Sequence, residues 1–221
     1  MKDITPFPDQ DNIRHDVARA KFHSKLDMTE VYEQVRIVEK DIPKTTFAMV
    51  LGTYVSMVMQ MGDCNAPSTF QRLMTHVFRE YIGRSVHVYL DDIFIFSNSI
   101  EEHEKHLEQV FAKLREQKLY LSKKKIDLYS ERMDCLGHLV TKDGIHADMD
   151  KMSKVREWRT PCTYNDVLRF LGLVQYLAPY MPDVTAYTTP LSGCVRNNCP
   201  FELQVARHSH SLLLFYSSNS C

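Results

Sequence analysis

The stretch that most restricts how this chain can fold is HVYLDDIFIFS, residues 87–97, in which two adjacent acids, Asp91 and Asp92, interrupt a run of apolar β-formers. Val86, Val88 and Leu90 alternate with His87 and Tyr89, and Ile93, Phe94, Ile95 and Phe96 follow the acids without a break. The pattern predicts two strands with the acids at their connection. Successive side chains in a strand point to opposite faces, so neighbouring carboxylates could not share one cleft from mid-strand positions. At a hairpin tip they can. Two carboxylates held close repel one another unless a cation neutralises them, and hard oxygen ligands in that arrangement suit Mg²⁺. The competing reading is an ordinary solvent-facing turn, since turns favour Asp.

A third acid sharpens the choice. Asp27, in KLDMTEVY, stands at the end of a short hydrophobic strand and is followed by a turn. One lone Asp together with an Asp-Asp hairpin is what two-metal nucleotidyl transfer requires: two ions about 3.5–4 Å apart, one activating a hydroxyl and the other holding the leaving phosphates. Such chemistry is mostly positioning and charge neutralisation, so few residues carry it. Metal-dependent nucleases also cluster acids.

The rest of the chain alternates short elements. DQDNIRHDVARA (9–20) predicts a short helix, and FHSKLDMTEVYEQVRI (22–37) a strand, a turn and a second element. TTFAMVLGTYVSMVM (45–59), rich in β-branched and aromatic residues around Gly52, predicts a hairpin. Residues 65–83 predict a helix with Asn65 as cap, Pro67 in its first turn, an apolar stripe from Phe70 to Tyr81, and Gly83 as its end. Residues 99–119 predict another, opened by a Ser99/Glu102 capping box, with His103, Leu107, Val110, Phe111 and Leu114 on one face. Within it, the His103/His106 pair in EEHEKH is not HExxH and is expected on a solvated helix face rather than at a metal. Short strands with a turn at Asp143-Gly144 are expected over 123–147, and helices over 147–158 and 163–177, the latter capped by Thr163 and Asp166. A boundary is expected near residue 145, and the tail from Cys194 is expected to be poorly ordered.

Composition adds exclusions. With 27 Lys and Arg against 28 Asp and Glu, overall charge does not mark a nucleic-acid binder, and the one basic run is Lys123-Lys124-Lys125. The six cysteines are scattered without a CxxC pair, as expected of free thiols in a reducing compartment. No apolar run approaches the roughly 18 residues of a membrane span, and MKDITPFPDQ is too polar for a signal peptide.

Taken in order, FHSKLDMTEVYEQVRI, DIPKTTFAMVLGTY, VMQMGDCNAPSTFQRLM, VYLDDIFIFS, EEHEKHLEQVFAKLREQKLYL, CLGHLVTKDGIHAD and RFLGLVQYLAPYMPD resemble the reverse transcriptases of gypsy-type LTR retrotransposons over roughly residues 5–193. The resemblance implies an α+β fold: a polymerase palm with an antiparallel sheet backed by helices and partial fingers (1–145), then a helical thumb and connection segment (146–193). It implies RNA-directed DNA polymerase activity on an RNA/DNA primer–template with dNTPs and two Mg²⁺ ions, Mn²⁺ being an alternative. Asp27, Asp91 and Asp92 match the metal-binding triad, and Tyr32 the aromatic that stacks under the incoming sugar and excludes a 2′-hydroxyl; a core tyrosine is the other reading. Met61 and Gly62 match the loop that supports the nucleotide, although this chain has Gln60-Met61-Gly62-Asp63 where most relatives have Pro-Phe-Gly-Leu, and an acid at Asp63 sits oddly beside a triphosphate. Lys125 matches a lysine that can protonate pyrophosphate, with a surface lysine as the alternative. Gly137 and His138, in CLGH, match the hairpin that grips the primer, with a structural histidine as the alternative at 138.

The resemblance also implies a basic fingers segment before ITPFP, which the sequence does not contain, and it fades by about Phe201. RNase H and integrase segments are not expected in this chain. Each lost charged contact to phosphate would cost on the order of 1.5–3 kcal/mol, so the alternative function is a catalytically inactive retrotransposon remnant that at most binds nucleic acid. An intracellular location is expected, cytoplasmic in a virus-like particle or nuclear, with no membrane partner.

Overall fold

The structure is a computed structural model that describes residues 5–156 and 163–180, with 158, 184–185, 188–189 and 192–193. It divides into two compact units, 1–145 and 146–221. The first is built on a four-stranded antiparallel sheet of β1 (Phe22–Met28), β4 (Val86–Tyr89), β5 (Asp92–Ser97) and β6 (Leu121–Ser130), in the order β4-β5-β1-β6.

Alternation along these strands sorts their side chains onto two faces. One face carries Leu26, Val86, Val88, Ile93 and Ile95, and buries them against Phe70 and Met74 of α2 (Ala66–Val77) and Leu107, Val110 and Leu114 of α3 (Ile100–Glu116). The other carries Phe94 and Phe96 and packs on Ile13 and Val17 of α1 (Gln10–Ala18) and on a second sheet, of β7 (Arg132–Cys135), β8 (His138–Thr141) and β9 (Gly144–Ala147). Both faces of the central strands are covered, which is why β5 reads as an unbroken apolar run rather than an alternation. A separate hairpin of β2 (Phe47–Met49) and β3 (Gly52–Tyr54) follows a 3₁₀ turn at Glu39–Thr45, and its side chains are exposed. In the second unit α5 (Tyr164–Leu177) buries Val167, Phe170, Val174 and Leu177 among themselves, Ala147 and Trp158; α4 (Met149–Arg156) precedes it, and Lys151 Nζ lies 4.1 Å from the centre of the Tyr176 ring.

Several expectations needed correction. The helix predicted to Gly83 ends at Val77: Phe78 turns out of helical geometry, and Tyr81, Ile82 and Gly83 form a tight turn in which Gly83, at φ 77°, donates to Val86 O. Asn65 stands at the N-cap but its side chain makes no capping bond, whereas Ser99 accepts from Glu102 N–H and the Thr163/Asp166 capping box is complete. The Lys123–Lys125 run lies inside a ten-residue strand, β6, rather than between short ones. His103 is not on a solvated face. It is fully buried against the sheet, its Nε2 2.7 Å from Ser24 Oγ and its Nδ1 2.8 Å from Ser97 Oγ, which also lies 2.8 Å from His106 Nδ1. Burial, then the nearby His106 and His23, drive the His103 pKa down to about 4. Among the described cysteines Cys64 and Cys135 are free thiols, and burial pushes the Cys135 thiol up to about 12. The tail from Cys194 lies outside the described residues. Among those described, no helix is long and apolar enough to cross a membrane.

Candidate active site

The β1–β5 register places Asp27 directly opposite Asp92. One residue further, Met28 N–H donates to Asp91 O at 3.0 Å, so the β4–β5 connection is stitched to the end of β1. Tyr89 pairs with Asp92, which leaves Leu90 and Asp91 as a two-residue turn. Asp27 and the distant Asp91-Asp92 pair therefore meet at one edge of the sheet, because β1 ends where the β4–β5 hairpin turns.

Asp27 and Asp91 line an open cleft of about 430 Å³ together with Tyr32, Met61, Lys125 and the acids Glu30 and Glu33. Five residues singled out in the sequence thus converge: two acids, the aromatic, the loop methionine and the lysine. The Tyr32 ring meets Phe70 edge-on, with centroids 6.1 Å apart at 87°, so the core fixes its plane. Burial and then the charge of Asp91 push its phenol pKa up, so the hydroxyl stays protonated. Behind it, Gln34 donates to Thr29 O and Tyr120 O and accepts from Tyr120 N–H, tying the turn after β1 to the start of β6.

The other site residues lie outside the cleft lining. Asp92 turns to the α1 side of the sheet, where its Oδ2 is 3.1 Å from Lys25 Nζ. Gly62, at φ 101°, lets the loop reverse beside Met61. The acid at Asp63 has a structural use: its Oδ2 accepts Gln60 N–H at 2.9 Å and closes that loop. Leu136 and Gly137, at φ 53° and 77°, make the two-residue turn between β7 and β8. His138 is buried, within electrostatic reach of Asp11 on α1.

Negative charge at this edge is offset by two lysines. Lys125 Nζ approaches both oxygens of Asp27, at 3.3 and 3.2 Å. Lys25 bridges Asp92 and, at 3.7 Å, Asp134, and its Nζ lies 5.5 Å from the centre of the Phe94 ring. Burial raises the Asp92 pKa, Asp91 and Asp27 raise it further, and Lys25 pulls it back. For Lys25 burial opposes the charge, but Asp92, Asp134 and Asp27 outweigh it and hold the ammonium above its usual range. The surplus carboxylate charge invites a cation. Among the described residues no three His, Cys, Asp or Glu side chains form a complete ligand set. Mg²⁺, however, commonly takes only one or two protein carboxylates and completes its shell with water and substrate phosphates, and Asp27 with Asp91 offers that number at an open cleft.

Lys25 and Gln71 escaped the sequence reading. Lys25 carried a signal, since a residue two before Asp27 on a strand shares its face. Gln71 carried none: on α2 it reads as one more polar helix position.

The fold is that of a polymerase catalytic domain. It superposes on the foamy viral protease–reverse transcriptase dRH in complex with double-stranded DNA, with a TM-score of 0.89, 21% identity, and coverage of 98% of this chain and 38% of that one. The same foamy viral enzyme in complex with an RNA/DNA hybrid gives a TM-score of 0.85 at 21% identity, over 99% of this chain and 30% of that one. Sequence comparison carries the assignment further: the model of the reverse transcriptase (RNA-dependent DNA polymerase) family matches residues 2–140, and the chain belongs to that family. It is 34% identical over 196 residues to the retrovirus-related Pol polyprotein from transposon opus of Drosophila melanogaster, covering 89% of this chain and 20% of that protein. It is 33% identical over 197 residues to the corresponding polyprotein from transposon gypsy of the same organism, covering 89% of this chain and 19% of that protein. The chain therefore spans about a fifth of the length of these polyproteins.

Proposed function

We propose that this chain carries the nucleotidyl-transfer site of an RNA-directed DNA polymerase, joining a deoxynucleoside triphosphate to the 3′-hydroxyl of a primer on an RNA or DNA template. The observation that supports it is the convergence of Asp27, Asp91, Tyr32, Met61 and Lys125 on one open cleft. In this reading Asp27 and Asp91 hold two divalent cations, Mg²⁺ or Mn²⁺, with Asp92 peripheral to them. The chemistry such ions supply is activation of a hydroxyl nucleophile and neutralisation of phosphoryl charge.

The protein's own residues bind and orient. Tyr32, fixed edge-on by Phe70, offers a flat ring on which the incoming sugar would stack, with a 2′-oxygen excluded by contact. Met61, exposed on a loop closed by Asp63, is free to lie against the nucleotide. Lys125, 65% exposed, neutralises Asp27 from the end of a long four-carbon stem and can turn to the triphosphate and protonate the departing pyrophosphate. Gly137 gives the β7–β8 hairpin the tight turn with which to approach the primer strand.

Extension of oligo(dT) on poly(rA) by the purified chain tests the proposal. Mg²⁺-dependent incorporation is expected, abolished in Asp91→Asn. Incorporation that persists unchanged in that variant defeats the assignment, and salt-sensitive nucleic-acid binding without extension by the unaltered chain supports the inactive remnant instead.

A further inference from the structure

The turn that carries Asp91 bends at Leu90, whose φ is 53°. Primed two-residue hairpin turns need positive φ at their first residue, which is why Asn, Asp and Gly dominate there. A leucine in that conformation costs roughly 1–2 kcal/mol and persists only where its surroundings over-determine it.

One buried side chain grips the turn from the helix side. Gln71 on α2 is 1% exposed; its Oε1 accepts Leu90 N–H at 2.8 Å, and its Nε2 donates to Val88 O at 3.1 Å. An N–H facing one end of the carboxamide and a carbonyl facing the other fix which way round it sits. The helix beneath is anchored by Phe70 and Met74, both fully buried in the core. From the opposite side Met28 N–H holds Asp91 O at 3.0 Å. The turn is thus clamped between a helix and a strand, one grip on each of its two residues.

We propose that Gln71 is a positioning residue for the nucleotidyl-transfer site: it holds Leu90 in the left-handed conformation that aims Asp91 into the cleft. The inference rests on the proposed function for its catalytic meaning, and on the geometry of the turn alone for its structural one.

The test compares the full chain with Gln71→Met, which keeps length and bulk but neither hydrogen bond, and with Gln71→Glu, which keeps an acceptor for Leu90 N–H. Amide exchange is read residue by residue, and primer extension is run on the same samples. In the Met variant Leu90 exchange accelerates by about tenfold or more while Ile93 and Phe94 keep their protection, and kcat falls about 10- to 100-fold, the usual loss for a partner that supports a metal ligand, with the KM for primer–template unchanged. The Glu variant retains protection at Leu90. Unchanged exchange at Leu90 in the Met variant, or acceleration spread evenly over the sheet, overturns the proposal, because a packing role alone is preserved by Met. Should that variant fail to fold, Gln71→Asn, one methylene too short to reach both groups, replaces it with the same expected and contrary results. A wild-type chain that extends no primer defeats the proposed function, while Leu90 exchange still decides whether Gln71 holds the turn.

Discussion

Replacing Lys25 by Met isolates the electrostatics at the sheet edge. The Lys25 side chain is only 18% exposed and its ammonium lies 3.1 Å from Asp92, whose side chain is 19% exposed. At an effective dielectric of about 20 their attraction is roughly 5 kcal/mol before desolvation is subtracted, and removing one partner of a fully buried pair costs about 3–5 kcal/mol. One-fifth exposure lets water relieve part of that, so a loss of about 2–3 kcal/mol is expected, including the contact with Phe94. The loss has a sign in pH. Without Lys25, burial and the charges of Asp91 and Asp27 raise the Asp92 pKa unopposed. A carboxyl whose folded pKa lies above its unfolded value binds more protons in the folded state, so stability falls as pH rises from the unfolded toward the folded pKa. The variant is therefore destabilised more at pH 8 than at pH 5, and Lys25→Met combined with Asp92→Asn recovers most of the loss. Urea unfolding followed by far-UV circular dichroism is the assay, since the one tryptophan, Trp158, belongs to the second unit. A loss below about 0.5 kcal/mol, the range of ordinary surface substitutions, or one equal at both pH values, refutes the reasoning.

Other outcomes follow from the same geometry. His103, buried and neutral with a pKa near 4, contributes stability that is complete above the unfolded value of 6.5 and lost as pH falls toward 4, up to about 3 kcal/mol; denaturation midpoints between pH 7.5 and 4.5 should decline, and His103→Gln should flatten the decline. Tyr32→Ala should relax sugar discrimination, measured as the ratio of kcat/KM for deoxy- over ribonucleoside triphosphates, by tenfold or more if the ring excludes the 2′-oxygen by contact, a loss of about 1.4 kcal/mol or more. Lys125→Ala should cost under about 1 kcal/mol in stability, as an exposed partner does, yet slow primer extension; an unaltered rate identifies Lys125 as a surface lysine.

The hairpin bearing Asp91 and Asp92 was legible because β-formers flank it on both sides, and Asp27 because it closes a strand before a turn. Their meeting was not, since it depends on the antiparallel register of β1 with β5. The place of His103 on one face with Leu107, Val110 and Leu114 was legible from the helical period, but the polar composition of EEHEKH suggested a solvated face, whereas α3 turns that face to the sheet, where Ser24 and Ser97 supply its partners. The length of β6 was hidden by three successive lysines, which break the period-two pattern of a strand exposed on this edge. Gln71 illustrates the same limit. A buried polar side chain acquires its role from groups that arrive from elsewhere in the chain, and no local pattern announces them.

Asp27 and Asp91 are proposed to act on the same ions. Mn²⁺ binding, followed by electron paramagnetic resonance with a deoxynucleoside triphosphate present, measures this in the wild-type chain, Asp27→Asn, Asp91→Asn and the double variant. Ions shared between the two carboxylates predict that each single change removes most of the bound Mn²⁺ and that the double change removes little more. Losses that add as if the two positions were independent, or Mn²⁺ binding indifferent to both, would contradict it.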